Sequence, residues 1–154
     1  MSDGVPRYFP LGEGKSYQLG RIKLTFKTSA IDTGSAYTLC EAVEPPDAGA
    51  GLHRHVSYDE THIICEGRYE AWLGTKTLQL SAGDIFFAPR GTPHSIKCLG
   101  PETGRELMIS SPGGVFDAFI DEVVTSMTAS GSPTDGPVID FRAIAAKHGI
   151  EFLS

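Results

Sequence analysis

Short runs in which hydrophobic and polar residues alternate recur between residues 21 and 110. Strand-like alternation or composition marks 21–27, 36–43, 60–65, 68–73, 76–80, 84–88 and 106–110. Breakers separate these runs: PPDAGAG at 45–51, Glu66-Gly67, Leu73-Gly74-Thr75, and the stretches 81–84, 89–93 and 100–104. Many short strands divided by Gly and Pro turns predict a sandwich or barrel. After Ser111-Pro112-Gly113-Gly114 the period changes. Val115, Phe116, Phe119, Ile120 and Val123 recur at helical spacing, which predicts a helix covering one open part of the barrel. SMTASGSPTDGP at 126–137 reads as a loop, Asp140 as the cap of a short helix through Lys147 that stops at His148-Gly149, and IEFL as an apolar end. The expected fold class is all-β: a jelly-roll β-barrel with its core at about 20–112 and short C-terminal helices at about 113–154.

Composition narrows this picture modestly. The chain's 154 residues suit a single domain of roughly 100 to 200, able to bury about 70% of its unfolded surface. With 40% hydrophobic and 21% charged residues it is ordinary, while 18 glycines and 10 prolines add weight to a turn-rich β fold. The formal charge of −6, with no run of Lys and Arg, excludes a basic stripe and argues against nucleic acid. MSDGVPRYFPLGEGK lacks a charged stretch followed by an apolar core, and no window approaches 18 apolar residues, so a soluble cytoplasmic protein without membrane contact is expected. Cys40, Cys65 and Cys98 are odd in number, widely spaced and free of CxxC spacing, which fits packed, reduced thiols.

The chemistry concentrates in one window. Four of the five histidines, His53, His55, His62 and His94, fall within 42 residues, whereas His148 sits where it favours a helix dipole. His53 and His55 share a face of an extended chain and converge there, although two exposed loop histidines would give the same pattern. Glu60 opens an apolar strand that ends at Gly67, and His94 follows the tight turn at 89–93. Two hairpins can thus bring three imidazoles and one carboxylate together, a set suited to Fe(II), Mn(II), Ni(II), Cu(II) or Zn(II).

These residues match a known family. His53-Arg54-His55-Val56-Ser57-Tyr58-Asp59-Glu60, then six residues to Gly67, resembles the first cupin motif. Gly83-Asp84-Ile85-Phe86-Phe87-Ala88-Pro89-Arg90-Gly91-Thr92-Pro93-His94 resembles the second, with its Gly, Pro, Gly and His at the family's spacing. The 15 residues between Gly67 and Gly83 match the short intermotif distance of small microbial cupins. PPDAGAGLHRH, SPGGVFDAFIDEV and KHGIEFL are similar to single-domain cupins of the quercetin 2,3-dioxygenase type, so the resemblance spans nearly the whole chain. It implies a cupin-type jelly roll, a homodimer, and one divalent transition metal ion held by His53, His55, Glu60 and His94. Two positions depart from the pattern. Asp47 stands where a glycine usually opens the first motif, and Cys98 where an asparagine often closes the second, which bears on local turn geometry and pocket chemistry.

Parity along an unbroken strand would place Asp59, not Glu60, on the face of the two histidines. Residues 56–59 read as a turn that resets the alternation, and the family's spacing to Gly67 selects Glu60, leaving Asp59 to cap the turn or support the site. His62 then points into the same cavity, as a substrate hydrogen-bond donor, a proton shuttle, or a buried imidazole satisfied by a neighbour. Ile64 continues that face, while Ile63 and Cys65 take the other, as in a strand covered on both sides by a dimer. Cys98 shares a face with His94 and Ile96 and either looks into the barrel or packs beside it. Tyr37, Leu39 and Glu41 form one candidate cavity wall and Tyr69, Ala71 and Leu73 another; Glu102 and Glu106 read as solvated.

The expected function is a mononuclear metal-dependent, quercetinase-like dioxygenase acting on a small aromatic or enol-bearing substrate, with Glu60 and His62 as catalytic residues. The alternatives are a metal-dependent isomerase, cyclase or hydrolase without dioxygen chemistry, and a non-catalytic small-ligand-binding cupin, because one fold hosts all three.

Overall fold

The computed structural model describes residues 6–129 and 139–153. A six-stranded antiparallel sheet runs in the order β1 (Lys15–Leu19), β2 (Ile22–Thr28), β3 (Thr38–Glu44), β10 (Gly104–Ser111), β5 (Asp59–Glu66), β8 (Ile85–Ala88). A five-stranded sheet runs β11 (Ile150–Phe152), β4 (Gly49–His55), β9 (His94–Cys98), β6 (Arg68–Leu73), β7 (Lys76–Ser81). The sheets pack face to face. Ile64 and Phe86 from the first meet Tyr69, Ala71, Ile96 and Cys98 from the second in one apolar cluster. The alternating runs predict a sandwich or barrel, and the two sheets form the cupin double-stranded β-helix that the motif resemblance implies. The barrel starts at Lys15 rather than near residue 20, because the weakly apolar KSYQL pairs along its whole length with β2.

PPDAGAG reads as a breaker, yet its last three residues belong to β4. Gly49 there serves close approach rather than a turn. A Cβ on Gly49 would lie 2.1 Å from the Ile96 carbonyl oxygen, and the β4–β9 ladder shifts register between Ala50 and His53. Asp47, at the family's glycine position, takes the left-handed φ of 65° that the glycine would supply, and its short polar side chain tolerates it.

Helix α1 (Ala30–Thr33) is a single turn. Helix α2 (Val115–Ala129) buries Phe119, Ile120 and Val123 and runs through residues 126–129, which the composition assigns to a loop; residues 130–137 of that loop lie outside the described residues. Helix α3 (Phe141–Lys147) starts as expected, with Asp140 Oδ1 accepting from the Ala143 amide at 2.9 Å. His148 Nε2 and Lys147 Nζ both reach Glu122, at 2.7 and 2.8 Å, which ties α3 to α2. Beyond Gly149, β11 pairs Ile150 with His55 and Phe152 with His53, so the end of the described chain braces the histidine strand. Among the described residues no helix is long and apolar enough to cross a membrane.

Candidate metal centre

Three strands deliver four ligand-type side chains to one point. β4 supplies His53 and His55, β5 supplies Glu60, and β9 supplies His94, which lies directly opposite His53 in the ladder. One ligand atom from each of the four lies within 4.8 Å of the others, and all four residues are buried. The alternation resets as expected: Glu60, His62 and Ile64 are the buried positions of β5, whereas Asp59 faces outward. Asp59 instead accepts from the Arg90 backbone amide at 2.8 Å and from its Nε and Nη2 at 3.0 and 3.1 Å. It thereby ties the start of the glutamate strand to the turn that leads into His94.

The ring orientations fit a cation. His53 Nδ1 donates to the Gly51 carbonyl at 2.6 Å and His94 Nδ1 to that of Thr92 at 2.9 Å, so each Nε2 presents a lone pair. His94 Nε2 lies 3.2 Å from Glu60 Oε2, so these two ligand-type atoms converge on one point. His55 Nδ1 is buried without a hydrogen bond, 3.7 Å from the same oxygen. Burial first, and the neighbouring imidazole of His94 second, push His53 down to about 4; burial pushes His55 down to about 3 against the pull of Glu60. Both are therefore neutral imidazoles at physiological pH, the state that ligates. Three nitrogens and one carboxylate oxygen fit a divalent transition ion, and the donor types do not select among Fe, Mn, Ni, Cu and Zn.

His62 lines the cavity beside this cluster. Its Nε2 lies 3.1 Å from Glu60 Oε2, its Nδ1 lies 2.7 Å from Glu106 Oε2, and its ring stacks on Phe86 at 4.4 Å. Burial opposes its charge, but Glu106 and Glu60 outweigh burial and hold it well above the ordinary imidazole range. Burial likewise opposes ionisation of Glu60, and the charge of His62 overcomes it, keeping that carboxyl well below its usual range.

Glu106 corrects the sequence reading. It is fully buried and bonded to His62, not solvated. On β10, Glu106 and Ser110 are deeply buried, whereas Leu107 and Ile109, on the other face, are half-buried, so apolar residues do not mark the inward face. A second missed acid is Glu44, buried on the cavity wall of β3 with Ala42. Leu39 and Glu41 point the other way, and Glu41 is buried only because Arg105 at 2.7 Å and Lys27 at 3.6 Å cover it. Tyr69 and Ala71 do face inward. Cys98 packs among them, its thiol 3.5 Å from the Glu102 carbonyl, and does not line the cavity. All three thiols are free.

The cavity, of about 420 Å³, runs from His53, His55 and Glu60 to the inner faces of α2 and α3. Its walls are mostly apolar, with Met108, Phe119, Ile120 and Phe152 prominent, and its volume lies in the range of small-molecule sites.

Comparison with known proteins agrees with this geometry. The Cupin domain family model matches residues 41–110, the stretch that carries all four ligand-type residues. An uncharacterised protein of Methanocaldococcus jannaschii is 32% identical over 82 residues, covering 53% of this chain and 66% of that relative, just under two thirds of its length. Among solved structures, KdgF from Halomonas sp. aligns with a TM-score of 0.62 at 21% identity, over 70% of this chain and 96% of its own. A predicted oxalate decarboxylase from Thermotoga maritima gives 0.65 at 19%, over 69% and 99%. The polyketide cyclase RemF from Streptomyces resistomycificus gives 0.60 at 19%, over 70% and 80%. At these identities the structures share a fold and no more. Residues 41–110 thus match the Cupin domain family, and the two sheets that gather the His and Glu positions of that stretch have the cupin double-stranded β-helix fold.

Proposed function

We propose that the chain is a mononuclear metal-dependent enzyme of the quercetinase-like dioxygenase kind, acting on a small aromatic or enol-bearing molecule held in the barrel. The observation that carries this reading is the convergence of His53, His55, Glu60 and His94, of which the first three line an apolar cavity where a ligand's reactive oxygen can meet them. A divalent transition ion held by His53, His55, Glu60 and His94 would supply Lewis acidity and, where redox-active, chemistry with dioxygen. The chain's own residues do the rest. Glu60 accepts a hydrogen bond from an enol or phenol hydroxyl and takes its proton once the resulting anion is held at the site, and apolar walls exclude water from that anion. The likeness to quercetin 2,3-dioxygenases rests on the sequence motifs, and it sets the first substrates to try.

The Glu106–His62–Glu60 chain favours a second reading, proton transfer without dioxygen, as in an isomerase, cyclase or hydrolase. Protein reconstituted separately with Fe, Mn, Ni, Cu or Zn is to be screened against flavonols and other enols in an oxygen electrode. The first reading expects oxygen uptake that Glu60→Gln or His94→Ala abolishes; turnover surviving both substitutions contradicts it. Turnover under anaerobic conditions assigns the second. The expected homodimer would cover the outer face of the six-stranded sheet, where Ile85 and Phe87 stand exposed, and sedimentation at micromolar concentration tests it.

A further inference from the structure

Two carboxyl groups inside the cavity are not accounted for by the cation cluster. Glu44 on β3 and Glu106 on β10 both line the cavity and are 3% and 0% exposed. In the ladder Glu44 lies opposite Gly104 and Glu106 opposite Ala42, so the two acids are diagonal neighbours on one inward face, within reach of each other. Glu106 Oε2 is engaged by His62, but Glu106 Oε1 and Glu44 Oε2 are buried without any hydrogen bond. Leaving such oxygens unmatched is costly, more so when charged, and their place in an apolar wall points to a ligand.

The unmatched carboxyl oxygens are acceptors, and the Tyr69 hydroxyl, also buried without a hydrogen bond, is a neutral donor beside Glu44. Lys27 and Arg105 sit on the other face of the sheet against Glu41, and both ring nitrogens of His62 are already engaged. Among the described residues the only group of three or more metal-ligating side chains is the His53, His55, Glu60, His94 cluster, so the pair lacks a third protein donor for a metal of its own. A partner that brings both hydrogen-bond donors and positive charge suits this acid pair and favours ionisation of Glu44, which an ammonium does and a hydroxyl does only in part. Burial and then the Glu106 charge push the Glu44 carboxyl up to about 8, against the weaker pull of the Tyr69 hydroxyl and the His62 charge.

We propose that Glu44 and Glu106 form an acidic subsite within the cavity that receives the protonated amine of a small, otherwise apolar ligand. The proposal rests on the cavity being the substrate site, as above, with the ligand's oxygen-bearing end at the cation cluster. Glu106 stands one imidazole's width from Glu60, so a single arene with a short side arm spans the two ends.

Calorimetric titration with phenethylamine and with 2-phenylethanol, its neutral counterpart, reads the subsite directly. Metal-free and Zn(II)-loaded protein are both titrated. The amine is expected to bind at least about tenfold more tightly than the alcohol in both forms, and Glu44→Gln and Glu106→Gln are each expected to remove that preference. Either variant alone suffices, so a folding failure in one, seen by circular dichroism, leaves the other to decide. The proposal is overturned by equal or tighter binding of the alcohol, by no binding of the amine, or by an amine preference that survives in a folded variant. A second equivalent of Zn(II) that Glu44→Gln removes would also overturn it, making the pair a metal site. The titrations do not depend on turnover, so failure of the dioxygenase reading and failure of this subsite are seen separately.

Discussion

Glu60 Oε2 lies between two imidazoles with different jobs. His94 Nε2, 3.2 Å away, presents a lone pair, whereas His62 Nε2, at 3.1 Å, carries a proton because Glu106 holds the other side of that ring. His62 is thus an anchor for Glu60 as well as a cavity residue, and Glu106 acts through it. Glu106→Gln removes the charge that stabilises the imidazolium but preserves shape and one hydrogen bond. We expect it to lower kcat by about 10–100-fold, the usual range for a group that supports a metal-site residue, while the metal content stays at the wild-type level. His94→Ala, by contrast, should lose the metal itself. Equal metal loss in both variants, measured by elemental analysis, would show that Glu106 supports the fold of the site rather than the aim of Glu60.

Strands β4 and β9 meet at a narrow seam. His53 and His55 sit just beyond the point where the Gly49 backbone crowds the Ile96 carbonyl, so the spacing of these two strands sets the spacing of the histidines. Gly49→Ala forces a Cβ into that contact at a φ of 153° that L residues rarely adopt. The expected cost is about 1–3 kcal/mol in urea unfolding, together with weaker metal affinity; an unchanged midpoint would contradict the role given to this seam. The same seam shows what alternation conveys. Where one face is polar and the other apolar, as in β5 after its reset, the inward residues could be read directly, and His53, His55, Glu60, His62 and His94 all gather as expected. The start of β4 was hidden because a glycine for close approach looks like a glycine for a turn. Glu106 and Glu44 were hidden because β10 and β3 carry apolar residues on both faces, and period-2 spacing cannot tell which face is inward when the acid lies within. Strand β11 is three residues long and is defined by its pairing with β4, a long-range contact that local pattern does not encode.

At the scale of the molecule, the buried imidazoles couple stability to pH. In the folded metal-free protein His53 and His55 titrate at about 4 and about 3, against an ordinary value of 6.5. Below pH 6.5 the unfolded chain therefore binds up to two protons that the folded chain refuses, and stability falls as pH drops. His62 adds nothing in that window, being charged in both states below 6.5. Glu44, held up at about 8, works in the opposite sense but with one proton against two. The urea midpoint of the metal-free protein should accordingly be lower at pH 4.5 than at pH 6.5, and His53→Gln with His55→Gln should flatten the difference; a wild-type midpoint independent of pH in this range would contradict the burial of neutral imidazoles. All of this depends on one claim, that the two cupin motifs converge to hold a cation at the wall of an apolar cavity. Elemental analysis of protein purified without a metal-affinity tag, after growth in metal-rich medium, tests it most directly. The account predicts about one transition metal ion per chain, lost in His94→Ala and retained in His62→Gln. A wild-type protein with no metal, or a His94→Ala variant with its full complement, would contradict it.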